Sequence, residues 1–172
     1  LKHHYMMAGL LTFPDKFDPK TYKQTFDPRK HKSEHNVACD VEAAQIVFQS
    51  STPKTVFPLD VTSQVPIKRE DFDALKNGDL MQQRLGRLTD IWFDYRDKKF
   101  KERVSYTCMH DPLTVAAISH PELVKTLELP MRVDNNGNTI IDYERGNKVN
   151  VAVSVDEKGF KKEFLETIYR NN

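Results

Sequence analysis

Apolar residues in this chain fall into short clusters whose spacing changes several times, and each change marks an element. Tyr5, Met6 and Met7 run together and end in Ala8 and Gly9. That is the pattern of a buried strand passing its end to a loop. Over residues 12–33 the pattern dissolves: Pro14, Pro19 and Pro28 are scattered among Lys, Asp and Phe with no helical period. A long surface excursion is expected there. Asp40-Val41-Glu42-Ala43-Ala44 then opens a helix, with Asp40 as its cap, Glu42 at the positive end of the dipole, and Ala43, Ile46 and Val47 as the apolar stripe. Pro53 closes that region, and Thr55-Val56-Phe57-Pro58-Leu59 reads as the next strand.

Residues 67–72 begin another helical stretch. A longer helix is predicted over 80–95, where Leu85, Leu88, Ile91, Trp92 and Tyr95 recur at helical spacing. The mixed-charge run 96–103 reads as a mobile, solvated loop rather than a nucleic-acid patch. Two short helices follow, over 112–119 with proline in its first turn and over 121–127. The remainder is β-rich: strands over 128–133, 139–143 and 149–155, the first two joined by an Asn135-Asn136-Gly137-Asn138 turn. An amphipathic helix over 157–169 carries Phe160, Phe164, Leu165 and Ile168. Helices alternating with strands predict an α/β fold, here part of an open, mostly parallel sheet flanked by helices, with a β-hairpin and a C-terminal helix at the end. Residues 1–172 are read as a single domain.

Composition narrows the partners. A net charge of +1 gives no electrostatic reason to expect nucleic acid or an anionic membrane. No apolar run is long enough to span a bilayer and no signal peptide is visible, so a cytoplasmic setting is expected. Cys39 and Cys108 lack CxxC spacing and read as reduced thiols. Walker and dinucleotide fingerprints are absent.

Two segments carry candidate chemistry. Met109-His110-Asp111-Pro112-Leu113 sets an imidazole beside a carboxylate at the mouth of a helix. His110 could protonate a leaving group near neutral pH. Asp111 could lean toward a hard cation, although a simple N-cap is the plainer reading. Ser33-Glu34-His35-Asn36 sets Glu34 and Asn36 two residues apart, on one side of an extended segment. The plainer readings are a surface carboxylate and a helix-entry amide. Together these residues offer a proton donor, a metal ligand and two polyol-binding groups. That is the outfit of a sugar-cleaving metal site without a second acidic cluster.

Taken in order, Met7-Ala8-Gly9, Glu34-His35-Asn36, Asp40-Val41-Glu42-Ala43-Ala44, Leu59-Asp60-Val61-Thr62 and Met109-His110-Asp111-Pro112-Leu113 resemble the inosine–uridine-preferring nucleoside hydrolase family, in the order of its C-terminal half. The resemblance implies an open α/β fold that hydrolyses the N-glycosidic bond of ribonucleosides around a bound Ca²⁺. It also implies roles. His110 is similar to the histidine that protonates the departing base. Asp111 resembles a calcium ligand that also touches ribose hydroxyls. Glu34 and Asn36 match residues holding those hydroxyls, Met7 matches a methionine lying against the sugar, and Tyr95 or Phe100 belongs to the flank over the base.

The departures from the family pattern are specific. The family's N-terminal aspartate cluster, which supplies most calcium ligands and the general base, has no counterpart here. No asparagine lies between Gly9 and Glu34, His35 stands where phenylalanine is usual, and Ala8 replaces a glycine. The expected partners are therefore a ribonucleoside, a missing N-terminal half and further copies of the chain in a homo-oligomer. The alternative is a non-catalytic binding or structural subunit.

Overall fold

The computed structural model describes residues 2–11 and 33–170. The excursion expected over 12–33 falls almost wholly outside them. Strand β1 (His4–Met7) is followed in the described chain by α1 (His35–Cys39), α2 (Val41–Gln49) and β2 (Lys54–Phe57). A one-turn helix α3 (Leu59–Thr62) leads to β3 (Pro66–Lys68), a 3-10 segment (Arg69–Asn77) and the long α4 (Leu80–Phe100). Then come β4 (Tyr106–Cys108), α5 (His110–Ser119), β5 (Val124–Val133), β6 (Thr139–Ile141), β7 (Asn147–Val155) and α6 (Glu157–Tyr169).

Five strands form one sheet in the order β1-β2-β7-β5-β6. β1, β2 and β7 run parallel, while β5 is antiparallel to both β7 and β6. This is the α/β architecture expected from the sequence. The two sheet faces follow from side-chain alternation. Val56 and Val151 point into one core with Phe48 of α2, Leu129 and Met131. Their neighbours Phe57 and Ala152 point the other way, into a core with Val61 of α3, Leu113 and Ala117 of α5, and Phe160 of α6. Helices therefore cover both faces, as parallel strands require. A third cluster of Ile67, Phe72, Leu75 and Phe93 lies between the 3-10 segment and α4. Among the described residues no helix is long and apolar enough to cross a membrane.

Local chemistry explains the elements that agree with expectation. Asp40 caps α2 by accepting from Ala43 N at 2.9 Å. Gly137, at φ +79°, makes the turn between β5 and β6, where a side chain at Cβ would meet Ser33 Oγ at 2.7 Å. The closing helix spans 157–169 as expected.

Several expectations are corrected. The buried side of α2 is Phe48 with Val41 and Ala44 packed beside it, whereas Ile46 is 63% exposed. Residues 66–68 form a strand because β4 is there to pair with them. The segment 121–127 is a single 3-10 turn and then the start of β5, whose register against β7 overrides local helical preference. The largest correction concerns α4. It runs on through the charged stretch to Phe100, with Lys101 in a left-handed cap at φ 56°. Arg69 braces this end by pairing with Asp94 and Asp97, each at 2.7 Å. Lys98 and Lys99 sit at the negative end of the helix dipole. The face of α4 turned inward is Gln82, Gly86 and Phe93, while Leu88, Ile91, Trp92 and Tyr95 are exposed.

Candidate functional site

The end of β1 is the anchor. Gly9 has φ +87°, and a Cβ there would come within 2.8 Å of Thr139 Cγ2, so glycine is required for the close approach of the β6 side chain. The Thr139 hydroxyl accepts from Leu10 N at 3.0 Å and donates to Leu10 O at 2.9 Å, fixing the loop that leaves the strand.

Glu34 closes this corner from the other side. Its own backbone is extended, but the segment turns helical at the next residue: Glu34 is the N-cap of α1 and, at only 5% exposed, is no surface carboxylate. Its Oε1 accepts from Asn36 N at 2.8 Å, and its Oε2 from Gly9 N at 3.1 Å and Val37 N at 3.3 Å. These three bonds take up most of the roughly four acceptor positions of a carboxylate. Asn36, in the first turn of α1, turns its Nδ2 onto Met7, 3.1 Å from the carbonyl oxygen and 3.3 Å from Sδ. Met7, Glu34 and Asn36 are thus held together at the C-terminal end of β1. The C-terminal ends of parallel strands are where α/β sheets place their clefts.

The second segment arrives through α5, which packs against β1. The helix begins at His110 with Met109 at its N-cap, and Met109 makes no side-chain cap bond. Asp111 is therefore not the cap. It stands exposed in the first turn, where the helix dipole favours a negative charge and its oxygens face solvent. His110 is half-buried, and its Nδ1 lies 2.9 Å from the Thr62 hydroxyl of α3. Burial holds the imidazole pKa below its ordinary 6.5. Asp111 and Glu34 push it back up, and Arg96 pushes it further down. Both candidate segments therefore lie within electrostatic reach of one ring.

Thr62 is the residue that sequence reasoning left without a role. It belongs to a matched motif, but only the fold brings α3 beside α5. Arg96 is the other, hidden in a run expected to be a loop. Its detectable signal is the helical spacing of Trp92, Arg96 and Phe100. A cavity of about 730 Å³ opens beside His110 and Asp111, walled by Leu85, Leu88, Trp92 and Arg96. The Trp92 indole is fixed there by donating to the Thr107 hydroxyl at 3.2 Å. Tyr95 stacks on Trp92 with centroids 5.9 Å apart. Cys108 lines the same cavity with its thiol pKa raised by burial, which makes it a poor nucleophile.

A calcium ion does not fit the described residues as a complete site. No three of their His, Cys, Asp or Glu side chains converge to hold a metal. Asp111 offers one carboxylate toward a shell of about six to eight oxygens.

Comparison with known proteins agrees with this fold. Residues 1–162 match the model of the family described as inosine-uridine preferring nucleoside hydrolase. A pyrimidine-specific ribonucleoside hydrolase RihA of Citrobacter koseri is 36% identical over 138 residues, which is 74% of this chain and 44% of that protein. Among solved structures, the purine-preferring ribonucleoside hydrolase from Gardnerella vaginalis superposes with a TM-score of 0.76 at 28% identity, covering 97% of this chain and 52% of the other. An inosine-uridine preferring nucleoside hydrolase from Bacillus anthracis shares the fold, with a TM-score of 0.69 at 20% identity. The chain spans about half the length of the relatives it matches. With the fold, the ordered motifs and the family model in agreement, this chain belongs to the inosine-uridine preferring nucleoside hydrolase family.

Proposed function

We propose that residues 1–172 form a single domain that is the C-terminal portion of a ribonucleoside hydrolase, an enzyme cleaving the N-glycosidic bond to give ribose and free base. The complementary N-terminal half supplies most calcium ligands and the general base, and the whole assembles as a homo-oligomer. The observation that carries this reading is the setting of His110: bonded to Thr62, and under the influence of both Asp111 and Glu34. The relatives named above are pyrimidine-specific and purine-preferring, so the ribosyl bond is what their substrates share.

The roles follow from charge. As the C–N bond breaks, ribose takes on oxocarbenium character, which nearby negative groups favour in the transition state. Asp111, in the first turn of α5, faces the ribose hydroxyls and would offer its carboxylate to a calcium ion held mainly by the other half. Glu34, from its remaining acceptor position, and Asn36, through its Oδ1, hold hydroxyls of the same sugar. Met7, clasped by Asn36, lies against the ring. His110 attends the departing base. In the tautomer that lets the Thr62 hydroxyl donate to Nδ1, the neutral ring carries its proton on Nε2, ready to hydrogen-bond the nitrogen on which charge builds. The described residues alone do not complete a site for that ion.

That same incompleteness favours a second reading, a non-catalytic binding or structural subunit of the family. Release of free base from uridine and inosine, with calcium present, separates the two. The hydrolase reading expects no turnover by residues 1–172 alone and turnover once the complementary half is joined. Turnover by the chain alone would contradict the reading, and an inactive joined protein that still binds ribose would leave the binding subunit in its place.

A further inference from the structure

The closing helix α6 touches both walls of the cavity beside His110. Its Phe160 lies in the core with Leu113 and Ala117 of α5, the helix that carries His110 at its start. Farther along, Phe164, Leu165 and Ile168 pack into the third cluster, with Phe72 of the 3-10 segment and Phe93 of α4. Three rings trace the crossing. Phe160 stacks on Phe164 with centroids 5.7 Å apart, and Phe164 meets Phe72 edge-on at 6.3 Å. Phe164 and Ile168 also line the cavity itself, together with Leu88 and Trp92 of α4 and His110 and Asp111 of α5.

The α4 wall is the one that needs holding. Residues 66–108 run between α3 and α5 as an arm whose strands, β3 and β4, form a two-stranded sheet of their own. The arm stands outside the five-stranded ladder, so its side-chain contacts weigh heavily in where it sits. Asp71, in the 3-10 segment, gathers several of them. Its Oδ2 accepts from Lys161 Nζ at 2.6 Å and from Lys68 N at 3.0 Å, and its carbonyl oxygen accepts from the Tyr169 hydroxyl. Gln82, near the start of α4, donates from Nε2 to Ile168 O at 3.3 Å. Lys161 and Tyr169 reach Asp71 from points about 12 Å apart along α6, so the pair fixes a direction as well as a distance. The ion pair is partly sheltered, with side chains 35% and 21% exposed, and is screened less than one in open solvent.

We propose that Lys161 and Tyr169, acting through Asp71, are positioning residues that hold the α4 wall at its distance from His110 and keep the cavity formed before a ligand arrives. The assignment rests on the hydrolase reading above for what the cavity binds, and adds to it the strut that preorganises one wall. A loosened arm populates wider states, and apparent affinity falls by the fraction of molecules in which the wall is in place. His110 is held by Thr62 on a different element, so its chemistry is left as it was. A rise in KM with little change in kcat is the signature of such a loss.

The two cysteines read the arm directly. Cys108, at the end of β4, lines the cavity and donates from Sγ to Ser63 O at 3.4 Å, whereas Cys39 is exposed at the end of α1. Residues 1–172 are alkylated with iodoacetamide, and each cysteine is followed by peptide mass spectrometry. Lys161→Met is expected to speed alkylation of Cys108 about fivefold and to leave Cys39 within about twofold, the effect of losing one partly sheltered ion pair. Lys161→Arg, which keeps the charge and the reach, should restore most of the protection. Tyr169→Phe should give a smaller rise of about twofold to threefold. An unchanged Cys108 rate in Lys161→Met, an equal rise at both cysteines, or no rescue by Lys161→Arg would each overturn the assignment. If Lys161→Met does not fold by circular dichroism, Tyr169→Phe decides on the same readout. In the joined protein, Lys161→Met should raise KM for inosine about fivefold with kcat within about twofold. An unchanged KM, or a loss confined to kcat, overturns the positioning role. Failure of the unaltered joined protein to release base sinks only the hydrolase reading, and the cysteine rates then still decide the strut.

Discussion

Two regions converge on His110 and differ in how far the chain completes them. At the end of β1, Glu34 accepts from three backbone amides, Asn36 donates to Met7, and Thr139 secures Leu10 in both directions. Along α4 the opposite holds: Leu88, Ile91, Trp92 and Tyr95 lie exposed, and Arg96 Nε is buried with no hydrogen-bond partner among the described residues. The first region is rigid because its own residues satisfy it, the preorganisation a site needs if it is to hold a sugar in one orientation. The second leaves large apolar side chains in solvent and one buried donor unsatisfied by the described residues. One chain thus holds a settled anchor and an unsettled flank around the same imidazole.

The contrast can be broken most forcefully on α4 itself. Phe93 is fully buried on its inner face, and Phe93→Ala is expected to cost about 3–5 kcal/mol in urea unfolding. Leu88→Ala, one turn away on the outer face and 64% exposed, should cost less than about 0.5 kcal/mol. Similar losses at both positions would mean that the outer face is not free. Glu34→Ala comes next, at about 3 kcal/mol, since it leaves three amides without their charged acceptor. Glu34→Gln keeps a carbonyl acceptor and should lose less. If the two variants were equally stable, the carboxylate would not be the anchor.

A smaller effect concerns pH. The folded His110 pKa is held below the unfolded value near 6.5, so the unfolded chain binds the extra proton first. Its contribution to stability is fully present above pH 6.5 and is lost as pH falls through the folded value. Asp71, Asp97, Asp134 and Asp142, whose pKa values are lowered from 3.8, act in a separate and more acidic window. His110→Gln should therefore flatten the upper part of the pH–stability curve and leave the acidic part alone. An unchanged upper slope would show that burial does not govern this ring.

What could be read in the sequence was local. The cap at Asp40, the turn at Gly137 and the C-terminal helix follow from chemistry within a few residues, and they stand where expected. The order of short motifs carried the family and put Met7 at a strand end and His110 at the mouth of a helix, whereas Asn36, expected on an extended segment, lies in the first turn of α1. The rest depended on distant contacts. Periodicity found α4 but not which side faces inward, because that is decided by Ile67, Phe72 and Leu75 arriving from other segments. The charged run 96–103 extends a helix because Arg69, far away in sequence, pairs with Asp94 and Asp97. Glu34 as a cap was equally hidden, since one of its donors is Gly9.

The central claim is that His110 serves the departing base. It is tested most directly by the turnover of His110→Ala in the joined protein, with inosine and with the riboside of a nitrophenol as alternative substrates. Nitrophenolate leaves without needing a proton, whereas hypoxanthine benefits from one. The expected result is a fall in kcat of about a hundredfold or more for inosine with the nitrophenyl riboside nearly spared. An equal loss on both substrates, or no loss on inosine, would contradict the role given to His110.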